Sequence, residues 1–183
     1  NLTAGVTYYL WFDTWPTPNS PCPGTFSIRL LNPPANDVCA NAPTLTVNPD
    51  YLCGSVTPGT VVDAMASGNA LGSCFGGPDD DVWYSFVATN TAHRVSLTNI
   101  AGSVTDMYMK IYSGADCGSL VDVACSDPET WNGTGLTVGA RYYVRVYTYA
   151  TGAQTTTFNI CVGTPPPPPA NDNCAGAVTL AVS

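Results

Sequence analysis

A segment of this chain occurs twice, and the repetition limits what the chain can fold into. PPANDVCANAPTLTV covers residues 33–47, and PPANDNCAGAVTLAV covers residues 168–182, which places Asn171 at 135 positions after Asn36. The start of the chain also recurs, because NLTAGVTYYLWFDTW (1–15) aligns with GLTVGARYYVRVYTY (135–149). TFSIRLL at 25–31 likewise aligns with TFNICVG at 157–163. A period of this length is typical of a repeated domain.

The two alignments define the expected domain boundaries. Residues 1–33 are predicted to be the C-terminal part of one repeat, 34–164 a complete repeat, and 165–183 a proline-rich linker with the first strand of a following repeat. The run of five prolines at 165–169 is typical of a stiff, extended spacer. We therefore expect the chain to be a window of a longer tandem array whose modules contact neighbouring repeats or other copies of the protein.

Alternating apolar residues predict an all-β fold. The predicted strands cover residues 81–88, 93–100, 106–114, 140–149 and 155–162. Met107, Met109 and Ile111 are predicted to point inward, and Tyr108, Lys110 and Tyr112 outward. In the other strands, the residues predicted to share a face are Val82, Tyr84 and Phe86 (with Trp83, Ser85 and Val87 on the other face), Val95 and Leu97, Tyr142, Val144 and Val146, and Thr156, Phe158, Ile160 and Val162. Turn-forming residues separate the strands every ten or so positions, a spacing that predicts an antiparallel β-sandwich.

The charge balance excludes two classes of partner. The chain has 5 Lys and Arg against 13 Asp and Glu, for a net charge of −8. Binding to nucleic acid or to an anionic membrane surface needs clustered basic residues, so neither is expected. No apolar run approaches the roughly 18 residues of a membrane-spanning helix, and membrane insertion is not expected either.

Six of the eight cysteines fall within the complete repeat. They are Cys39, Cys53, Cys74, Cys117, Cys125 and Cys161. A zinc site normally has closely spaced cysteine pairs or histidine partners, whereas the closest cysteines here are at 117 and 125 and the chain has 1 His. Disulfide bonds, and hence an oxidising extracellular setting, are therefore predicted.

Sequence alone does not fix how six cysteines pair. One hypothesis follows from their positions. Cys117 and Cys125 bracket a short segment that resembles a hairpin, Cys53 and Cys74 bracket a loop, and Cys39 and Cys161 open and close the repeat. Cys174 corresponds to Cys39 in the next copy, and the pairing of Cys22 stays open.

Acidic residues cluster at three predicted strand ends. The candidate ligands are Asp79, Asp80, Asp81, Asp106, Asp127 and Glu129. Calcium takes six to eight oxygen ligands from such loops, so convergence of these residues at one end of the sandwich predicts a Ca²⁺ site. The alternative is that aspartates simply begin turns and remain hydrated.

The sequence does not favour catalysis. Its one histidine, His93, lies within a predicted strand, and hydrolases of the Ser-His-Asp or Cys-His type need a partnered imidazole. Tyr143 and Tyr147, with Tyr8, Tyr9, Trp11 and Trp15 of the preceding copy, either stack on sugars, pack against neighbouring repeats or form cross-strand pairs within the sheet.

The strand motifs also carry a family resemblance. DDDVWYSFVA, TDMYMKIYSG and GLTVGARYYVRVYTY resemble the bacterial pre-peptidase C-terminal (PPC) domain, and DMYMKIYSG is similar to CUB domains. The lead-in NDVCANAPTLTV and the pair in CGSLVDVAC look like repeats of large secreted proteins of Bacteroidota. The resemblance implies a jelly-roll-like sandwich, export to the cell surface, and Asp81 and Asp106 as calcium ligands.

Together these features predict a non-enzymatic extracellular module. We expect a structural and adhesive repeat of a long cell-surface adhesin, stalk or filament, with surface glycans or proteins as further partners. The alternative is a carbohydrate- or protein-binding module attached to a secreted enzyme.

Overall fold

The computed structural model describes residues 2–3, 5–12 and 25–181, in two compact units that divide after Leu30. Each unit is described by itself. The first unit contains no assigned strand among its described residues, and Trp15 and Cys22 lie outside them. None of the helical turns in the described part is long and apolar enough to cross a bilayer.

The second unit, residues 31–183, folds almost entirely into β-strands. Its described strands are β1 (Val47–Asn48), β2 (Thr57–Thr60), β3 (Val82–Val87), β4 (Ala92–Ala101), β5 (Met107–Ser113), β6 (Val121–Ser126), β7 (Thr130–Thr134), β8 (Arg141–Thr148) and β9 (Thr157–Gly163). Two single-turn 3₁₀ helices cover Cys39–Asn41 and Cys174–Gly176.

The strands form two packed sheets, which confirms the predicted β-sandwich. One sheet has the order β3-β8-β5-β6 and is antiparallel throughout. The other has the order β1-β9-β4-β7, with β2 also pairing with β9, and its short β1 runs parallel to β9. Met107, Met109 and Ile111 point inward as predicted, and the residues predicted to share a face with one another in the other strands are buried together.

The outward face of the four-stranded sheet is buried as well, which the sequence did not predict. Its covered side chains are Trp83, Tyr108, Lys110, Tyr112, Tyr143, Arg145 and Tyr147. Tyr147 lies directly opposite Tyr108, and Tyr143 opposite Tyr112. Of the alternatives for Tyr143 and Tyr147, cross-strand pairing is therefore confirmed.

Residues 62–79, here called the covering segment, lie over part of this face without forming a strand. Backbone carbonyls bind it to the sheet. Arg145 Nη1 donates to the carbonyl of Asn69 over 2.8 Å, and Lys110 Nζ donates to that of Leu71 over 2.7 Å. Each buried cation therefore has a hydrogen-bond acceptor in the covering segment, which lowers the free-energy cost of burying its charge.

All six predicted cysteines form disulfides, but the hypothetical pairing was wrong. The bonds join Cys39 to Cys117, Cys53 to Cys161 and Cys74 to Cys125. The thiol of Cys174 is unpaired and exposed.

The reason for the error is the strand β6. Residues 121–125 are extended, so they span roughly 13 Å at about 3.3 Å per residue. A disulfide needs Cα atoms within about 7 Å, and Cys117 precedes this strand whereas Cys125 lies near its end. Each cysteine therefore bonds to a segment beside it: Cys117 to the turn at Cys39, and Cys125 to the covering segment at Cys74.

Candidate functional site

The acidic residues predicted from the sequence gather at one end of the four-stranded sheet, here called the acidic end. Asp79–Asp81 precede β3, Asp106 precedes β5, and Asp127 follows β6. The register pairs Met107 with Thr148 and Met109 with Ser126, so the start of β5 adjoins the ends of β8 and β6. The start of β3 joins them, since Val82 pairs with Val146.

Asp81 is completely buried and forms an ion pair with Arg145. Its Oδ2 accepts from Arg145 Nε over 2.9 Å and from Trp83 Nε1 over 2.9 Å. The backbone N–H and the hydroxyl of Ser67 also donate to this carboxylate. Asp81 is thus saturated by donors of the protein itself.

Asp80 and Asp79 form hydrogen bonds with residues at the end of β8 and just after it. Asp80 is 2% exposed, and it accepts hydrogen bonds from the backbone N–H and the hydroxyl of Thr148 over 3.0 and 2.7 Å. Burial raises the pKa of Asp80 to about 6, against the opposing effect of these hydrogen bonds. Asp79 is exposed and accepts from the N–H of Gly152 over 2.7 Å.

Asp106, Asp127 and Glu129 form the outer part of the acidic end. Asp106 and Asp127 are exposed, and Glu129 is half-buried, with Oε1 accepting from the N–H of Met107. Partial burial, followed by the charges of Asp127 and Glu129, raises the pKa of Asp106 above its usual range. Asp127 and Glu129 thus both disfavour the ionised form of Asp106.

A stack of aromatic rings leads from the buried ion pair to this outer part. The guanidinium carbon of Arg145 lies 5.6 Å from the ring centre of Tyr147, which stacks on Tyr108 at 5.8 Å. Tyr108 stacks in turn on Tyr149 at 5.9 Å. The hydroxyl of Tyr108 donates to Asp127 over 2.7 Å, and this bond raises the pKa of Tyr108 to about 12.

Tyr149, the last ring of the stack, is open to solvent, and so is Phe75, which lines the same depression. Tyr149 is 53% exposed and Phe75 is 72% exposed, and together with Gly76, Ala150 and Thr151 they line a shallow depression. The N–H of Gly77 donates to the carbonyl of Tyr149, and Tyr147 Oη donates to the carbonyl of Phe75, so both residues sit on a fixed backbone. We call Phe75 and Tyr149 the aromatic surface.

A second depression, of about 430 Å³, lies beside β2 and β9 and is uncharged. Its lining includes the amides of Asn36, Asn99 and Asn159 and the ring of Phe158. Asn99 has a φ of 51° at an irregularity in the pairing of β4 with β9. This amide cleft can form hydrogen bonds with a ligand. The ring of Phe158 within it is buried, so it cannot stack on a sugar.

His93 has a packing role. It is fully buried, and its Nε2 accepts hydrogen bonds from the backbone N–H groups of Thr89 and Asn90 over 3.0 and 3.1 Å. The remaining nitrogen, Nδ1, therefore carries the proton and faces the carbonyl of Gly163 at 3.2 Å. Burial lowers the pKa of His93, and both ring nitrogens are occupied by the backbone.

A model of the T9SS-associated, galactose-binding-domain-like family matches residues 35–160. The chain belongs to this family. The match agrees with a secreted β-sandwich module related to the type IX secretion system, whereas the more specific resemblance to PPC and CUB domains is not confirmed.

Two further comparisons add little to the family assignment. No curated protein matches the chain. A periplasmic inhibitor of g-type lysozyme from Aeromonas hydrophila is similar in structure, with 19% identity over 66% of this chain and 99% of that chain and a TM-score of 0.36. A likeness at this level carries no argument about fold or function.

The calcium site of this galactose-binding-like module stays a prediction. In the part of the chain that the structure describes, no group of three or more His, Cys, Asp or Glu side chains is arranged to hold a metal ion. Asp81 and Asp106, the two positions taken from the resemblance, lie at the same end of the sheet but in different surroundings. Asp81 is paired with Arg145, while Asp106 is exposed.

Sequence reasoning found the acids of the module but missed their partners. Arg145 lies 64 positions after Asp81, and Phe75 and Tyr149 come from a loop and a strand end. One signal was present: Arg145 is a lone cation within the aromatic strand YYVRVYTY of a chain with only 5 basic residues. A buried charge in such a strand requires a carboxylate nearby.

Proposed function

We propose that this galactose-binding-like module is a non-catalytic adhesive unit of an exported protein and binds carbohydrate at the aromatic surface. The observation that carries the proposal is the open ring of Tyr149, which ends a buried stack and stands beside exposed carboxylates. The exported setting is supported by the family's link to type IX secretion and by three disulfides.

The chemistry of the surface suits a sugar. An exposed aromatic ring offers a flat apolar face for the C–H side of a pyranose ring, and the carboxylates of Asp106 and Asp127 accept hydrogen bonds from hydroxyl groups. The rings need little ordering on binding, because Tyr149 rests on Tyr108 and its backbone N–H donates to the carbonyl of Asp106.

The proposal is tested by screening the whole chain against immobilised oligosaccharides and titrating the best ligand by calorimetry. We expect Tyr149→Ala to weaken binding roughly three- to tenfold, the range for loss of one stacked ring, and Tyr149→Phe to retain most of the affinity. Binding to no carbohydrate, or unchanged binding by Tyr149→Ala, would contradict the proposal.

Two matched variants locate the site. Tyr51→Ala removes a half-exposed tyrosine that stacks on Arg94 of the other sheet, so it controls for a general effect of losing a ring. Asn159→Ala removes an amide from the amide cleft. We expect both to bind as the unsubstituted chain does, and a loss confined to Asn159→Ala would move the site to the cleft.

A second function, spacing within a tandem array, is supported by a recurring turn. In the complete repeat, the N–H of Thr137 donates to Tyr142 Oη over 3.0 Å, and Gly139 has a φ of 83°. In the first unit, the N–H of Thr3 donates to Tyr8 Oη over 2.7 Å. Gly5, between them, has a φ of 79°, so the aligned sequences adopt the same local structure.

The exposure of the first unit supports the same proposal. Tyr142, Val144 and Phe158 are at most 5% exposed in the complete repeat. Their counterparts Tyr8, Leu10 and Phe26 are 46%, 63% and 67% exposed. These side chains carry the pattern of β8 and β9, and the strands of a further repeat would bury them.

The array proposal is tested by adding the natural sequence that flanks residue 1 in the parent gene. We expect amides at 5–12 to exchange slowly with solvent in the longer protein and rapidly in the present chain. A parent gene without another copy of the repeat, or equal exchange in both proteins, would exclude an array.

A further inference from the structure

The aromatic surface stands in a patch of uncompensated negative charge. Asp106 and Asp127 are exposed beside Tyr108 and Tyr149, and Glu129 adds a third carboxylate. No ion pair joins any of these three acids to a lysine or arginine among the described residues of the second unit.

The backbone prevents the carboxylates from moving apart freely. The N–H of Tyr149 donates to the carbonyl of Asp106 over 2.9 Å, and Asp127 holds the hydroxyl of Tyr108. Tyr108 and Tyr149 are themselves stacked, so Asp106 and Asp127 are each hydrogen-bonded to one member of the same ring pair. Both acids are therefore held next to these two rings.

The basic residues of the second unit are engaged elsewhere. Arg145 and Lys110 pair with Asp81 and Asp122 under the covering segment. Arg94 lies on the ring of Tyr51 and donates to Asn132. Arg141 donates to Thr44 and Ser85 at the opposite end of the four-stranded sheet. None of these four cations forms an ion pair with Asp106, Asp127 or Glu129.

We infer that the ligand supplies the missing positive charge and that the aromatic surface selects amine-bearing glycans. This inference rests on the proposed carbohydrate binding and adds the ligand's charge. An ammonium group donates hydrogen bonds to Asp106 and Asp127 and is attracted to the face of Tyr149, whereas a carboxylated or sulfated sugar is repelled. The acidic chain therefore discriminates between glycans of similar shape by their charge.

The experiment compares three probes of equal length on the whole chain: a β-1,4-linked glucosamine hexamer, its fully N-acetylated counterpart, and a hexamer of galacturonic acid. Calorimetry is performed at low salt and mildly acidic pH, where the amines are charged. We expect the glucosamine hexamer to bind roughly fivefold or more tightly than the acetylated one, as an exposed ion pair and a cation–π contact allow. The acidic hexamer should bind weakest.

Charge variants assign the preference to this surface. Asp106→Asn combined with Asp127→Asn keeps the side-chain shape and should reduce the preference for the amine to less than twofold. Asp116→Asn alters an exposed aspartate in the loop between β5 and β6, at the opposite end of the sheet, and should leave the preference unchanged. Added salt should reduce the preference of the unsubstituted chain as well.

The outcomes separate this inference from the proposed function. Equal binding of the amine and its acetylated form, or tightest binding of the acidic hexamer, overturns the charge inference while carbohydrate binding stands. Loss of the preference in a chelator also overturns it, because calcium would then supply the positive charge. No binding of any probe in this series or of the immobilised oligosaccharides contradicts the proposed function itself.

Discussion

The guanidinium of Arg145 donates from Nε to Oδ2 of Asp81 over 2.9 Å, and both side chains are buried. Arg145 also lies between the rings of Trp83 and Tyr147, with its guanidinium carbon 5.7 and 5.6 Å from their centres. This pair joins the acidic end to the aromatic stack and holds the carbonyl of Asn69 in the covering segment. The site at the surface thus depends on a buried charge pair.

Breaking this pair should destabilise the module strongly. Arg145→Met leaves the carboxylate of Asp81 buried without its cation, which typically costs about 3–5 kcal/mol of the free energy of unfolding. Urea unfolding with the disulfides intact measures the loss.

The double variant provides the control. Asp81→Asn with Arg145→Met removes both charges and keeps an acceptor for Ser67, so it should lose less stability than the two single variants together. Strictly additive losses would show that the two side chains act independently, contrary to this structure.

The disulfide pattern gives a chemical prediction. Peptide mapping without reduction should find Cys39 linked to Cys117, Cys53 to Cys161 and Cys74 to Cys125. Replacing Cys74 and Cys125 with alanine opens a loop with a sequence separation of 51 and should lower stability by about 4 kcal/mol in the chain-entropy model. A Cys117–Cys125 peptide in the map would contradict the fold of β6.

Asp80 should make the module less stable as the pH rises. The native pKa of about 6 lies above the value near 3.9 of an unfolded aspartate, so the folded state binds the proton more tightly. Its stabilising effect is complete below about pH 4 and is lost as the pH rises through about 6, a change on the order of 2–3 kcal/mol.

Asp80→Asn removes this titration and tests the sign. Relative to the unsubstituted chain, the variant should gain stability between about pH 4 and pH 7, as measured by urea unfolding at each pH. Asp79→Asn, at the exposed neighbour, serves as the control and should change the pH dependence little. A parallel profile for Asp80→Asn and the unsubstituted chain would rule out a raised pKa.

The predicted calcium site has its own test. Arg145 pairs with Asp81 and Thr148 donates two hydrogen bonds to Asp80, whereas Asp79, Asp106 and Asp127 are exposed and Glu129 is half-buried. Asp106, Asp127 and Glu129 are the candidates tested here. If they bind calcium in the folded state only, millimolar calcium should raise the melting temperature relative to a chelator, and Asp106→Asn with Asp127→Asn should abolish the rise. Identical melting curves in calcium and chelator would exclude a structural site.

The sequence predicts the inner face of the sandwich well because alternation is a local signal. Val82, Tyr84 and Phe86 share a face wherever their strand lies, so their burial together follows from the spacing once that face meets the other sheet. The short strands were not predicted, because they lack this local signal. β2 is only TPGT and β7 is TWNGT, and neither has an apolar alternation to read.

The outer layer and the site depend on contacts between distant segments. The covering segment has no periodicity, yet it binds Arg145 on a face that a local pattern assigns to solvent. Cys39, Ala42, Cys117 and Leu120 pack against the cluster that includes Trp83 on the same face. The sequence indicated that acids lie at strand ends, but only the register of β5 with β8 places Asp106 beside Tyr149. Disulfide pairing likewise follows from which loops adjoin in space.

An NMR titration of the whole chain with its best oligosaccharide ligand locates the carbohydrate site. Binding at the aromatic surface should cause the largest changes in backbone amide shifts at residues 75–76 and 148–151, around Phe75 and Tyr149, and Tyr149→Ala should remove them. Changes centred on the amide cleft at residues 58–60 and 157–159, or no saturable change at all, would contradict it.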